Sequence, residues 1–171
     1  MLIRPLDPIS DRAGVDSFFQ EASDYITVER GPGYHPEVTQ EFFTDAPPGC
    51  DPAASLRLGL FAGTQLTAVG EAGFGYPEAD DAYIGLMIVS PNARGKGAGP
   101  RLLSHIENEA RTRACKAIYL AVLEANPRGR AFWERMGFTT MLTGRPVTLG
   151  SKTQMARRMG KSLRPSALAQ D

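Results

Sequence analysis

Along the chain the apolar positions change rhythm twice. Residues 3–6 suit a short strand, and Ser10 or Asp11 then offers a cap for a helix whose apolar positions are Val15, Phe18, Phe19, Ala22 and Ile26. That spacing is one face of an amphipathic helix. A shorter helix is expected around residues 37–43, stopped by Ala46-Pro47-Pro48-Gly49, where two prolines and a glycine prevent further winding. Leu56, Leu58 and Leu60 alternate with Arg57 and Gly59, turn at Gly63-Thr64, and lead into a second strand over 66–74, which together predict a β-hairpin.

The second half reads differently. Residues 82–89 are almost unbroken apolar, a glycine-rich loop follows, and a helix carries Leu102, Leu103, Ile106 and Ala110 on one face. Residues 116–123 form a second apolar run, after which Asn126 can cap a helix, Pro127 suits its first position and Gly137 closes it. Two buried strands joined by a helix of about 15 residues make a βαβ unit with parallel strands and a right-handed crossover. The fold class is therefore mixed α/β, with an antiparallel front and a parallel middle.

Composition narrows the classes. The 171 residues are 42% hydrophobic and 22% charged, which suits one compact domain. The chain shows neither an apolar run of about 18–20 residues nor a secretory core, so a cytoplasmic protein without a membrane partner is expected. Cys50 and Cys115 have no metal-type or disulfide-framework spacing, so no metal site is expected. Net charge is zero, which gives no reason to expect nucleic acid, yet residues 1–85 carry 4 basic against 14 acidic side chains and residues 86–171 carry 15 against 5. The basic half could hold an anionic ligand and the acidic half a cationic one; the plain alternative is two solvated faces.

The segment Val89-Ser90-Pro91-Asn92-Ala93-Arg94-Gly95-Lys96-Gly97-Ala98-Gly99, between strand and helix, has the position of an anion site. Glycines let backbone approach a ligand, free N–H groups at a helix start favour phosphate, and Arg94 and Lys96 add charge. Lys96 is followed by Gly97, not by Ser or Thr, so no hydroxyl is available for the Mg²⁺ of a nucleotide triphosphatase. GxGxG in mid-chain is also not the GxGxxG dinucleotide fingerprint.

These residues carry a resemblance. Arg94 to Gly99 is similar to the R/Q-x-x-G-x-G/A signature of the GCN5-related N-acetyltransferase (GNAT) family, with its V-x-P lead-in at Val89-Ser90-Pro91, and residues 126–138 resemble the family's later N-x-x-A-x-x-(L/F)-Y-E-x-x-G-F motif. The resemblance implies one N-acetyltransferase domain with a central twisted mixed sheet, a splayed parallel strand pair and helices on both faces. Residues 1–81 would be its acceptor side, 82–140 its acetyl-CoA-binding half, and 141–171 its C-terminal strands and basic tail. It further implies acetyl-CoA as cosubstrate, with the pyrophosphate on the amides of Arg94, Gly95, Lys96, Gly97, Ala98 and Gly99. Backbone groups of Met87, Ile88 and Val89 would pair with pantetheine, and one amide would face the thioester oxygen. Asn126 would touch the cofactor, act as a plain helix cap, or both. Proteins of this kind also pair through sheet edges, so a homodimer is compatible with the resemblance.

The catalytic positions depart from the family. Where it often has an acidic tyrosine stands Trp133, which has no proton to give at accessible pH and packs against either the cofactor or the core. Where the histone-modifying branch has a glutamate stands Tyr83, a weak base that could orient an acceptor. Glu71, between Gly70 and Ala72, is the other candidate, because a carboxylate among small apolar residues is pushed towards a raised pKa; ordinary sheet packing is the alternative for both. His35 and His105 read as loop and surface residues. Lys152, Arg157, Arg158, Lys161 and Arg164 read as a solvated basic end, or as a contact for the cofactor's 3′-phosphate or nucleic acid. The expectation is acetyl transfer to a small-molecule or peptide amine, with residues 31–34 and 74–81 as acceptor walls. The rivals are an acyl-CoA-binding regulatory module without catalysis and an NTP-binding interaction domain.

Overall fold

The computed structural model of the chain describes residues 1–165. Its elements run β1 (Leu2–Pro5), α1 (Arg12–Glu21), α2 (Ser23–Arg30), α3 (Glu37–Thr44), β2 (Leu56–Ala62), β3 (Gln65–Phe74), β4 (Asp81–Val89), α4 (Ala98–Thr112), β5 (Ala117–Leu123), α5 (Pro127–Arg135), β6 (Thr139–Leu149) and β7 (Lys152–Ser162). The strands form one sheet in the order β1-β2-β3-β4-β5-β7-β6, antiparallel everywhere except between β4 and β5. The βαβ unit β4-α4-β5 is the source of that one parallel pair. The last hairpin inserts β7 between β5 and β6, so Lys152, Arg157, Arg158 and Lys161 lie on a strand rather than on a tail. Of the expected stretch 141–171, residues 166–171 lie outside the described residues.

Each face of the sheet has its own core. On one face Leu102, Leu103, Ile106 and Ala110 of α4 are at most 3% exposed and pack with Ala72, Ile84, Ile118, Leu120, Trp133 and Phe138. Full burial of a Leu or Ile side chain contributes about 1.5–3 kcal/mol, so this stripe alone holds α4 on the sheet. Gly70 permits the close approach: a Cβ there would stand 3.2 Å from the tips of Leu102 and Ile106. On the other face Val15, Phe18, Phe19, Ile26, Val38, Phe42 and Phe43 cover Val69 and Ile88, with edge-on aromatic contacts linking Phe19 to Phe42 and Phe42 to Phe43.

The stretch expected as one first helix is two. It breaks at Ala22, where the backbone leaves helical values, and resumes at Ser23, with Asp24 in the new first turn accepting the Tyr25 N–H. The apolar spacing survives the break, which is why it reads as continuous, while the break turns Asp24 towards residue 94. At the far end Lys152 and Gln154, at the β6-β7 hairpin tip, donate to the carbonyl of Val28, and Gln154 also to that of Glu29, tying the hairpin to α2.

Candidate active site

The parallel pair is short. Asp81 to Ile84 pair with Ala117 to Leu120, and beyond that point β4 and β5 diverge while β5 continues to pair with β7 as far as Leu123. The divergence begins at a bulge. On the other side of β4, Ala72 pairs with Ile84 but Glu71 pairs with Leu86, leaving Gly85 as an extra residue. An inserted residue reverses which face later side chains occupy. Ile84 accordingly packs in the α4 core, and Leu86 and Ile88 in the opposite one. The β5-facing backbone groups of Met87, Ile88 and Val89 therefore line an opening in the sheet, where an extended ligand can pair with them.

The opening leads to the glycine loop. Gly95 (φ +71°) and Gly97 (φ +82°) adopt left-handed backbone, which costs a residue with Cβ about 1–2 kcal/mol, and Gly97 caps α4. Among the described residues no protein acceptor takes the N–H groups of Gly95, Lys96 or Gly97. A Cβ on Gly99 would meet the Phe132 ring at 3.1 Å and Val89 at 3.6 Å, so Gly99 lets the helix start sit against β4 and α5. The charges nearby are already engaged. Arg94 forms an ion pair with Asp24 and donates to the Val89 carbonyl at 3.1 Å; Lys96 donates to the Asn92 carbonyl at 2.8 Å. Arg94 holds the Asp24 carboxyl below its ordinary range. The backbone of 94–99 thus offers the donors, and the Arg94 side chain anchors the loop.

Across the opening, Asn126 caps α5, its Oδ1 accepting the Gly129 N–H at 2.9 Å. Trp133, expected beside the cofactor, is 7% exposed and lies edge-on between Phe132 and Phe138 in the α4 core. Packing is its observed role, because the face of α5 that carries it looks into the sheet. The aromatic ring that reaches the loop is Phe132, one residue earlier.

Glu71 lies where the strands part. It is 7% exposed, its carboxylate touches Gly85, and the Ser55 hydroxyl and Gly85 backbone beside it favour the ionised form, although neither Oε1 nor the Ser55 Oγ has a well-formed hydrogen bond among the described residues. Burial raises its pKa to about 7, opposed by the positive charge of Arg57. That guanidinium is fixed by the carbonyls of Phe42, Pro52 and Asp45 at 2.7–2.8 Å. Tyr83 occupies the same face. Burial raises its pKa above the ordinary phenol value, against the pull of Arg158 and Arg145, so it stays neutral and suits donation rather than proton capture. Its ring meets Tyr76 edge-on at 5.1 Å, and Arg158 donates to the Tyr76 hydroxyl at 2.6 Å. The structure therefore brings Glu71, Tyr83 and the 74–81 loop together. The 31–34 loop instead folds back on α1, where Tyr34 donates to Asp16 and lines a cleft of about 210 Å³ that includes neither Glu71 nor Tyr83.

Comparison with known proteins bears on the family and the fold. The family model described as Acetyltransferase (GNAT) family matches residues 16–138. The chain belongs to the GNAT family. A curated relative, acetyltransferase Atu2258 of Agrobacterium fabrum, is 37% identical over 68 residues, a match covering 40% of this chain and about half, 48%, of that relative. Among solved structures, the ribosomal-protein-S18-alanine N-acetyltransferase from Escherichia coli is similar with a TM-score of 0.69 and 18% identity, covering 99% of this chain and 98% of that one. An aminoglycoside 6′-N-acetyltransferase complexed with coenzyme A is similar with a TM-score of 0.70 and 15% identity, covering 97% and 99%. At these identities the structures establish the shared fold.

The cosubstrate of the GNAT family is acetyl-CoA, and the residues present fit it. Unpaired amides at a glycine-built turn suit a pyrophosphate, and a gap of strand width suits an extended arm. Two contributors escape sequence reading: Phe132 is masked by the adjacent Trp133, and Gly85 reads as an ordinary strand residue. Tyr76 falls inside the expected 74–81 wall, though no motif singles it out. Among the described residues no helix is long and apolar enough to cross a membrane.

Proposed function

We propose that this GNAT protein transfers an acetyl group from acetyl-CoA to a primary amine by direct attack in a ternary complex. The observation that carries the reading is the opening between β4 and β5, which runs from the unpaired loop amides to a buried carboxylate. Acetyl-CoA supplies the activated thioester carbonyl. The amides of 94–99 hold its pyrophosphate, Phe132 closes the loop side, and Met87, Ile88 and Val89 hold its arm and aim an N–H at the carbonyl oxygen. Glu71, with a pKa near the working pH, takes the proton from the amine, directly or through one water. Neutral Tyr83 donates a hydrogen bond that orients the acceptor. With Trp133 buried, no phenol of α5 protonates the leaving sulfur, and a thiol of pKa near 8.5 departs without that help.

Calorimetric titration with acetyl-CoA and with ATP, on wild type and Gly97→Asp, tests the cofactor, and CoA release across an amine panel tests the chemistry. Saturable binding of acetyl-CoA alone, lost in the variant, together with amine-dependent CoA release, is expected. Binding without release from any amine would favour the regulatory module that the buried Trp133 suggests; absence of binding by folded protein would overturn both readings.

A further inference from the structure

The site contains a second charged group that acetyl transfer to a simple amine does not use. Strand register together with one side-chain contact places four residues in one row across the sheet. Glu71 on β3 contacts Gly85 on β4; Ile84 pairs with Leu120, so Gly85 and Ala121 follow on either side of the divergence; and Ala121 pairs with Arg158 on β7. Gly85 and Ala121 are both exposed, giving the row an open floor with nothing larger than a methyl group. Glu71 and Arg158 rise from its two ends on the same face, opposite Leu120, Val122 and Met159 of the α4 core.

Among the described residues Arg158 is a cation without a carboxylate beside it. Its neighbour Arg157, on the other face, is paired with Glu124 at 2.8 Å. Arg158 is half-buried, donates to the neutral Tyr76 hydroxyl, stacks over the Tyr76 ring at 5.2 Å, and meets no carboxylate among the described residues. Arg145 of β6 is likewise without a carboxylate partner there and adds positive potential at Tyr83. Four acidic residues of the first half are engaged with arginines away from Arg158. Asp24 pairs with Arg94, and Glu29, Glu37 and Glu41 surround Arg30.

Resting on the acetyl-transfer reading, we infer that the acceptor is a small amine that also bears an anionic group, a carboxylate or phosphate, which Arg158 holds with Arg145 nearby while the amine lies at Glu71. Three strand spacings of about 4.8 Å, the middle one widened by the divergence, put the Cα atoms of Glu71 and Arg158 at least about 14 Å apart, and both side chains reach inward, leaving the span of one small bifunctional molecule. The planar guanidinium, already oriented by Tyr76, presents its free edge to an anion.

Matched amines separate the alternatives. Phenylalanine against phenethylamine and β-alanine against propylamine test a carboxylate, and phosphoethanolamine against ethanolamine tests a phosphate. Each is titrated calorimetrically into wild type, Arg158→Met and Arg158→Lys, with and without saturating CoA. The expected result is binding about 10-fold or more tighter for one class of anionic member, a preference lost in Arg158→Met and partly restored in Arg158→Lys. Acetyl-CoA affinity, unchanged in both variants, shows that the fold is intact, and Tyr76→Phe weakens the preference in a second way. Equal binding of both members, a preference for the member without the anionic group, persistence in Arg158→Met, or no binding by any anionic amine overturns the inference. Absence of acetyl-CoA binding by the wild-type protein would instead overturn the acetyl-transfer reading, and the anion preference remains readable on the protein alone.

Discussion

The carboxylate of Glu71 rests against the backbone of Gly85, the extra residue of the β4 bulge, so closely that a Cβ at position 85 would clash with it. The bulge, the buried acid and the parting of β4 from β5 are thus one local feature. Gly85→Ala should leave the fold standing, because the group displaced is the end of a side chain, while moving Glu71 from its place. The expected outcome is a melting temperature within a few degrees of wild type and kcat/KM reduced about 10- to 100-fold. A variant of full activity would show that the contact is incidental.

Glu71 should leave its mark on both rate and stability. Its base form appears as pH rises through about 7, so kcat/KM should rise over that range, and Glu71→Gln should remove the rise and cost about 10²–10⁴-fold. The stability sign is opposite. In the unfolded chain the carboxyl ionises at 4.5 and in the folded protein at about 7, so between those values the folded state binds more protons and stability falls as pH rises. Above pH 7 the full cost, about 3 kcal/mol, remains. Glu71→Gln should therefore melt higher than wild type at pH 8, with the gain vanishing near pH 4.5. Thermal unfolding at both pH values checks the sign.

The loop makes a separable prediction. Asp24 and Arg94 are partly exposed, so breaking their pair costs at most about 1 kcal/mol of stability. Asp24→Asn should nonetheless weaken acetyl-CoA binding several-fold, since Arg94 then loses the tether that joins loop, α2 and the Val89 carbonyl. Calorimetry paired with a melting curve separates the two effects, and a loss of stability larger than the loss of affinity would contradict an anchoring role.

What the chain makes legible follows from what is local. The βαβ unit, the α4 stripe and the glycine loop are written in contiguous residues, and so are the Asn126 cap and the Pro127 start. The bulge is not, because Gly85 declares itself only against the register of β3, a pairing between strands that no local rhythm records. The split of the first helix hides behind intact apolar spacing. The nearness of Arg158 to Tyr76, 82 residues apart, depends on β7 entering between β5 and β6. Glu71 was legible as a candidate because its small apolar neighbours announced burial; its unpartnered oxygen was not, since that depends on which donors the fold brings near.

Trp133 supplies the last test, since its position is where the family's tyrosine stands and its environment is the core. A tyrosine there would bury a hydroxyl among Phe132, Phe138 and aliphatic side chains, with desolvation costing about 1–3 kcal/mol if no partner is found. Trp133→Tyr should then lower the melting temperature and leave CoA release no faster. Trp133→Ala should cost about 3–5 kcal/mol through the cavity it opens. A Trp133→Tyr variant that gained an order of magnitude in kcat would mean instead that the ring turns towards the leaving sulfur when acetyl-CoA binds, and the protonation step would then belong to α5.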